Sequence, residues 1–352
     1  MVDDGSTDGS TDIALRYSQQ YPEKVRYLDH IDHRNQGAAA SRNLGIAQAR
    51  GEFVAFLDAD DVWLPGKLQR QVAIMERHPD VGLVFNRMFF WYEDGNKVPK
   101  PITLSPGMHP SRAWLTEVLA NLDHASAGPS AVMVRKDLAI KVGGFEESLK
   151  GVFQLFEDAA AWFKFGMNAP FYYDPECMSL HRLHSSSCWG RSSPYEQIFA
   201  RLHLYSWLVK YLKRHDHGQF QSELYSAKVR FHTALIRYLV EMEQIEAAAA
   251  LVHSLEQQLP RPPEDAEWNY LAAFCKHIVQ IDLQEALNQY DRALEYGYEE
   301  FWVKYNRGSL HAQLGNLKEA REDLERAVEL NPDHEGARQV LRQLSPKKDK
   351  NR

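Results

Sequence analysis

The stretch RGEFVAFLDADDVWLPGKL (50–68) carries the sharpest chemical signal in this chain. An apolar, strand-like run ends in Asp58, Ala59, Asp60 and Asp61. On an extended backbone residues i and i+2 face the same way, so Asp58 and Asp60 should project together. Ligands of open α/β sheets bind at the carboxyl ends of strands. Two hard carboxylates there suit Mg or Mn, which keeps other positions for water and phosphate oxygens. Taken alone, the stretch fits equally a loop whose acids cap the next helix. The opening residues, Val2 to Asp8 (VDDGSTD), have the same texture: a strand end breaking into a loop that faces a ligand. A further cluster, Cys177, His181, His184 and Cys188, spaces four zinc-capable side chains as C-x3-H-x2-H-x3-C, an unusual spacing for a structural zinc site.

Elements that could position these residues alternate along the first part of the chain. VRYLDH (25–30), EFVAFLD (52–58), VGLVFNRMFFW (81–91) and SAVMVRK (130–136) read as strands, short and bounded by Gly, Pro or Asp. Helical patterns lie between them, in STDIALRYSQQY, GAAASRNLGIAQAR (37–50) and LPGKLQRQVAIMERH (64–78). The alternation predicts an α/β domain with a largely parallel sheet over residues 1–217.

After about residue 219 the texture is amphipathic helix throughout. Ala286, Tyr290 and Ala293 recur thirty-four residues on as Ala320, Leu324 and Ala327, with Gly308, Gly315 and Pro332 in the later copy. Such a period resembles the tetratricopeptide repeat. Copies are expected at about 229–262, 267–300 and 301–334 within an all-α array over 219–345, followed by a disordered tail over 346–352. Single helix pairs cannot bury their own apolar face, so several must stack, and the groove they form is expected to take a protein partner.

Composition narrows the classes. A net charge of −7 argues against polyanion binding, and no nucleic acid is expected. No stretch is apolar enough to predict a transmembrane segment, and three cysteines make no disulfide framework. The expected location is cytoplasmic, with peripheral attachment at the inner face of the membrane as an option.

Five motifs in order, VDDGSTD (2–8), HRNQGAAASRNLGIAQARGEFVAFLDADD (33–61), VGGFEESL (142–149), FEDAAAWFKFG (156–166) and LHRLH (180–184), resemble family 2 glycosyltransferases of the GT-A fold. The resemblance covers residues 1 to about 190 and implies roles. Asp3 and Asp4 match the acids that meet the nucleotide, and Arg42 a basic residue near it. Asp58 and Asp60 match the DXD motif, where the carboxylates meet the ribose and a Mg or Mn ion on the diphosphate. Asp158 matches the catalytic base, and His184 a histidine that completes the metal or diphosphate site in some relatives. The implied reaction is an inverting transfer from a nucleotide-diphosphate sugar, a UDP-sugar above others, to a hydroxyl of a glycan, lipid-linked or protein acceptor. One base must take the acceptor's proton and a counter-charge must hold the leaving diphosphate. The family normally carries a strand and a helix before VDDGSTD, so the resemblance implies a GT-A domain lacking its first strand and helix. The QxxRW motif of processive synthases is absent. A rival reading is a catalytically weak fragment that scaffolds other proteins through its repeats.

Overall fold

The computed structural model describes residues 1–111, 113–114, 127–215 and 220–344. The expected disordered tail lies outside the described residues. Two compact units divide the chain, Met1–Ala227 and Lys228–Arg352. The sequence reading set that division at 217–219; it falls inside a helix, Gln221–Glu241.

In the first unit β1 (Val2–Asp3) pairs in parallel with β2 (Leu28–Asp29), and α1 (Ser10–Gln20) connects them. Next come α2 (Ala38–Gln48), β3 (Phe53–Ala55), β4 (Val62–Trp63), α3 (Lys67–Arg77), β5 (Leu83–Trp91), β6 (Lys97–Pro99) and β7 (Gly107–His109). Further on lie β8 (Val132–Arg135), α4 (Lys136–Lys141), α5 (Glu157–Asn168) and β9 (Phe171–Arg182). Two helices close the unit's described elements, α6 (Cys188–Arg191) and α7 (Pro194–Arg214). The main sheet runs β3-β8-β5-β9-β4, with β6 on β5 and β7 on β9.

This sheet is mixed, not largely parallel. β5 and β9 are parallel, whereas β3–β8, β8–β5 and β9–β4 are antiparallel. Local alternation of strand and helix suggests crossovers, but pairing direction is set by which distant strands meet. β5 is sealed on both faces, with Leu83, Val84 and Phe85 fully buried, so it reads as a continuous apolar run. β9 went unread because Asp174, Pro175 and Glu176 look like a turn. The structure places them in a bulge, where the register jumps from Asn86↔Asp174 to Arg87↔Cys177 and Pro175 needs no ladder hydrogen bond. Asp174 is buried there and accepts from Arg70 and Asn86.

β4, though only two residues long, decides where the acids end up. It turns the chain back after the acid loop and pairs Val62 with Leu180 and Trp63 with Ser179. Asp58–Asp61 is thereby set beside the carboxyl end of β9, where LHRLH begins.

The second unit takes the last turns of α8 (Gln221–Glu241), then α9 (Ile245–Gln258), α10 (Ala266–Val279), α11 (Leu283–Glu295), α12 (Glu300–Gln313), α13 (Leu317–Leu330) and α14 (Glu335–Gln343). It is a helical array of tetratricopeptide type. Ala273, Ala286, Tyr290, Ala293, Val303 and Leu310 share one core cluster, all fully buried. Ala320, Leu324 and Ala327, thirty-four residues after their counterparts, are fully buried as well. A Cβ on Gly308 would come within 2.9 Å of the Leu324 side chain, so α12 and α13 touch almost backbone to side chain at that point.

Candidate active site: an acid loop clamped to a helix start

The opening loop is built to hold carboxylates. Asp3 is buried and accepts from the Ser6 amide at 2.9 Å, the Thr11 hydroxyl at 2.5 Å and the Tyr27 hydroxyl at 3.2 Å. Burial pushes its pKa up, but these hydrogen bonds outweigh it and hold the carboxyl down at about 2. Asp4 accepts from the Gln36 and Gly37 amides at 2.7 and 3.0 Å, the arrangement of an anion at the start of α2. Gly5 has φ +74°, and a Cβ there would come within 2.8 Å of the backbone at His33 and Asn35. The bend that separates Asp3 from Asp4 therefore favours glycine. Beside it, a cavity of about 160 Å³ is lined by Gln36, Gly37, Lys150, Gly151 and Gln154 among others.

The acid loop 58–61 is fastened from two sides. Ser130, fully buried, accepts the Asp58 amide on its hydroxyl at 3.0 Å and the Trp63 indole N–H on its carbonyl at 2.8 Å. Asp61, also buried, accepts the Arg182 amide at 3.0 Å and meets His181 Nδ1 at 3.1 Å. Burial alone would raise the Asp61 carboxyl; the His181 hydrogen bond and charge bring it below its usual value. Asp61 thus ties the loop to the end of β9, and three residues on His184 Nε2 stands 3.0 Å from Asp60 Oδ2. The sequence reading named Asp61 without a role and His181 only as a zinc candidate, and it passed over Ser130. The alternation Asp58, Ala59, Asp60 drew attention to two acids, and nothing local marks the third as the structural one.

Arg42 joins this loop to the other half of the site. From α2 its guanidinium donates to Asp58 Oδ1 at 2.7 Å and to Glu157 Oε1, and it lies 5.2 Å from the Phe145 ring centroid. Burial opposes its charge, yet the two carboxylates raise its pKa above the usual value. Glu157, buried at the first turn of α5, is raised by burial. Asp158 is pushed up to about 7, first by burial and then by the negative charge of Glu157. Its carboxylate accepts the adjacent Ala159 amide at 2.7 Å. A carboxyl poised near neutrality is suited to take a proton.

The structure therefore joins Arg42 to Asp58 and Glu157 and joins Asp60 to His184, and Asp158 follows Glu157 at the start of α5. Asp3 and Asp4 occupy the loop that docks on the start of α2, the helix that carries Arg42. No polar contact joins Asp3 or Asp4 directly to Asp58 or Asp158 among the described residues.

The zinc alternative finds no support in these contacts. His181 faces Asp61, His184 faces Asp60 and Ser186, and Cys188 is exposed near Gln154. Among the described residues no cluster of three or more His, Cys, Asp and Glu is arranged to hold a metal unaided. Mg and Mn need no such cluster when a diphosphate supplies oxygens, and the Asp60–His184 pair fits that partial role.

With this geometry in view, two family models match the chain. Residues 1–135 match the model described as Glycosyl transferase family 2, and residues 301–334 match the Tetratricopeptide repeat. The first region is a family 2 glycosyltransferase domain. An uncharacterized glycosyltransferase of Nostoc is 48% identical over 84 residues, which are 24% of this chain and 25% of that protein. One of Rickettsia prowazekii is 28% identical over 187 residues, 53% of this chain and 54% of that protein. The chain thus spans between a quarter and about half the length of these relatives. Among solved structures, S. aureus TarS residues 1–349 align with a TM-score of 0.43 and 18% identity, covering 84% of this chain and 80% of that one.

Proposed function

We propose that the first unit transfers a sugar from a nucleotide-diphosphate donor, a UDP-sugar in the simplest case, to an acceptor hydroxyl with inversion. The observation that carries this reading is the Arg42 clamp: one guanidinium holds Asp58 of the acid loop and Glu157 of the helix start that bears Asp158. The clamp supports this reading because it ties the acid loop that would face the donor phosphate to the helix start that would face the acceptor proton.

In this reading Asp158 takes the proton of the attacking hydroxyl, and no second carboxylate acts as nucleophile. Asp3, Asp4, Arg42 and Asp58 form the nucleotide end. Arg42 and the Asp4-bound start of α2 orient the donor, and Asp58 is aimed by Ser130. Asp60 and His184 would hold Mg or Mn. A bound divalent ion supplies positive charge for the leaving diphosphate. The helical repeats recruit a protein partner, and the enzyme works in the cytoplasm or at the inner membrane face. No helix among the described residues is long and apolar enough to cross a membrane.

Calorimetric titration of the full chain with UDP, with and without Mn, tests the proposal. UDP should bind more tightly with Mn, and Asp60→Ala should remove that gain. An Asp60→Ala protein that is folded and keeps the Mn-dependent affinity would exclude this donor site. No UDP binding at all, with the repeats still folded, would favour the scaffold reading.

A further inference from the structure

Between Ile140 and Met242 the large apolar side chains exposed among the described residues are Trp189, Tyr195 and Phe199, each 41–47% open to solvent. All three are aromatic; Trp189 and Phe199 each pack on the same short element, and Tyr195 stacks on Phe199. That element is the tight helical turn Gly151–Phe156, which runs directly into Glu157 and Asp158.

Trp189 stands edge-on to Phe156, ring centroids 6.0 Å apart at 90°. The Arg201 guanidinium lies 5.6 Å from both ring centroids. On its other side α6 rests on the backbone of His184: a Cβ on Gly190 would come within 2.5 Å of the His184 carbonyl oxygen. Trp189 is therefore held between the base end of the site, through Phe156, and the Asp60–His184 end. A second surface continues along α7. Tyr195 and Phe199 stack at 6.1 Å and 7°, and Phe199 reaches Phe153 at 5.5 Å, itself stacked 3.9 Å from His203.

Open aromatic faces in water are a cost unless something covers them. Here flat rings alternate with the hydrogen-bonding groups of Gln154, Arg201 and His203, the pattern that suits a sugar ring, which offers C–H bonds on its faces and hydroxyls at its edge. We propose that Trp189 and the Tyr195–Phe199 pair form a two-position shelf for an oligosaccharide acceptor, one ring on Trp189 beside Asp158 and a second on Tyr195–Phe199. This rests on the transferase reading above and narrows its acceptor to carbohydrate.

Saturation-transfer NMR on the full chain tests it. The probes are the methyl β-glycosides of glucose, galactose and N-acetylglucosamine and the linear trisaccharide of each. At least one trisaccharide should receive saturation, and Trp189→Ala should weaken its binding about tenfold while Trp189→Phe retains most of it. Phe199→Ala should weaken trisaccharide binding and spare the methyl glycosides. Circular dichroism melting keeps a folding defect apart from a lost contact. UDP titration of the same protein separates the two readings: saccharide binding without UDP binding sinks the transferase and keeps the shelf. UDP binding with no saturation of any saccharide overturns the shelf. So does Trp189-dependent binding to phosphatidylcholine–phosphatidylglycerol vesicles or to an unglycosylated peptide without saccharide binding.

Discussion

The two units use buried charge in opposite ways. In the first, charged groups are drawn together from remote segments: Arg42 with Glu157, Asp60 with His184, Asp61 with His181. Carboxyl values are displaced in both directions, with Asp3 at about 2 and Asp158 at about 7. In the second, ion pairs join successive helices. Arg307 reaches sixteen residues back to Asp291 and sixteen forward to Asp323, and Lys304 donates to Asp323 at 2.9 Å. Those pairs sew neighbouring helices together, and Asp323 is held below its usual value although burial opposes it. The contrast is between like charges gathered from remote segments and opposite charges paired between neighbouring helices. Where a carboxyl is buried beside another acid, as Asp158 is beside Glu157, its charge is costly and its proton is held to higher pH. Where each acid meets a base on the next helix, charge serves packing.

The largest effect that sharpens this contrast is expected at Ala320. It is fully buried between α12 and α13, so Ala320→Arg overpacks the array and buries an unpaired charge. A loss of about 4 kcal/mol or more is expected, enough to remove the array's melting transition, while UDP binding by the first unit survives. Equal loss of UDP binding would show that the two units behave as one cooperative body.

Next comes the clamp. Arg42→Ala leaves Asp58 and Glu157 without their shared partner, at a cost of about 3 kcal/mol in the first unit's stability. Chemical denaturation reads this directly. A near-neutral outcome would mean that the two acids find water or protonate instead.

Asp158→Asn should lower turnover about 100-fold with UDP affinity kept. In the unsubstituted protein activity should rise with pH through about 7, as the Asp158 carboxyl loses its proton. Stability should move the other way. A carboxyl whose folded value lies above its unfolded one stabilises the fold when protonated, and that contribution is lost as pH climbs from about 4 to about 7. Asp158→Asn should therefore melt several degrees above the unsubstituted protein at pH 8 and alongside it at pH 4. An unchanged difference at both values would remove the buried-acid account.

Ser130→Ala is the smallest change, worth about 1 kcal/mol, since it removes one hydrogen bond to the Asp58 amide. If Ser130 aims the acid loop, Mn-dependent UDP affinity should fall while global melting barely moves. The reverse would make it an ordinary core hydroxyl.

Local spacing carried a good deal of this protein in its sequence. Alternation at Asp58 and Asp60 marks a strand end, and a thirty-four-residue recurrence of small residues marks stacked helix pairs; both are short-range regularities that one chain displays by itself. The order of motifs pointed to the transferase family. What the sequence withheld is which side chain meets which. Periodicity encodes a face, not a partner, so nothing near Arg42 announces Glu157, 115 residues away, and nothing near Asp61 announces His181. The bulged β9 was hidden because Pro175 breaks the strand pattern that its parallel neighbour β5 restores in space. The closing of β4 onto β9 is what turns a row of acids into a loop with one structural and two open carboxylates. Only tertiary structure could decide that, because the burial that displaces Asp158 and the contacts that hold Asp61 exist only once distant strands have paired and excluded water.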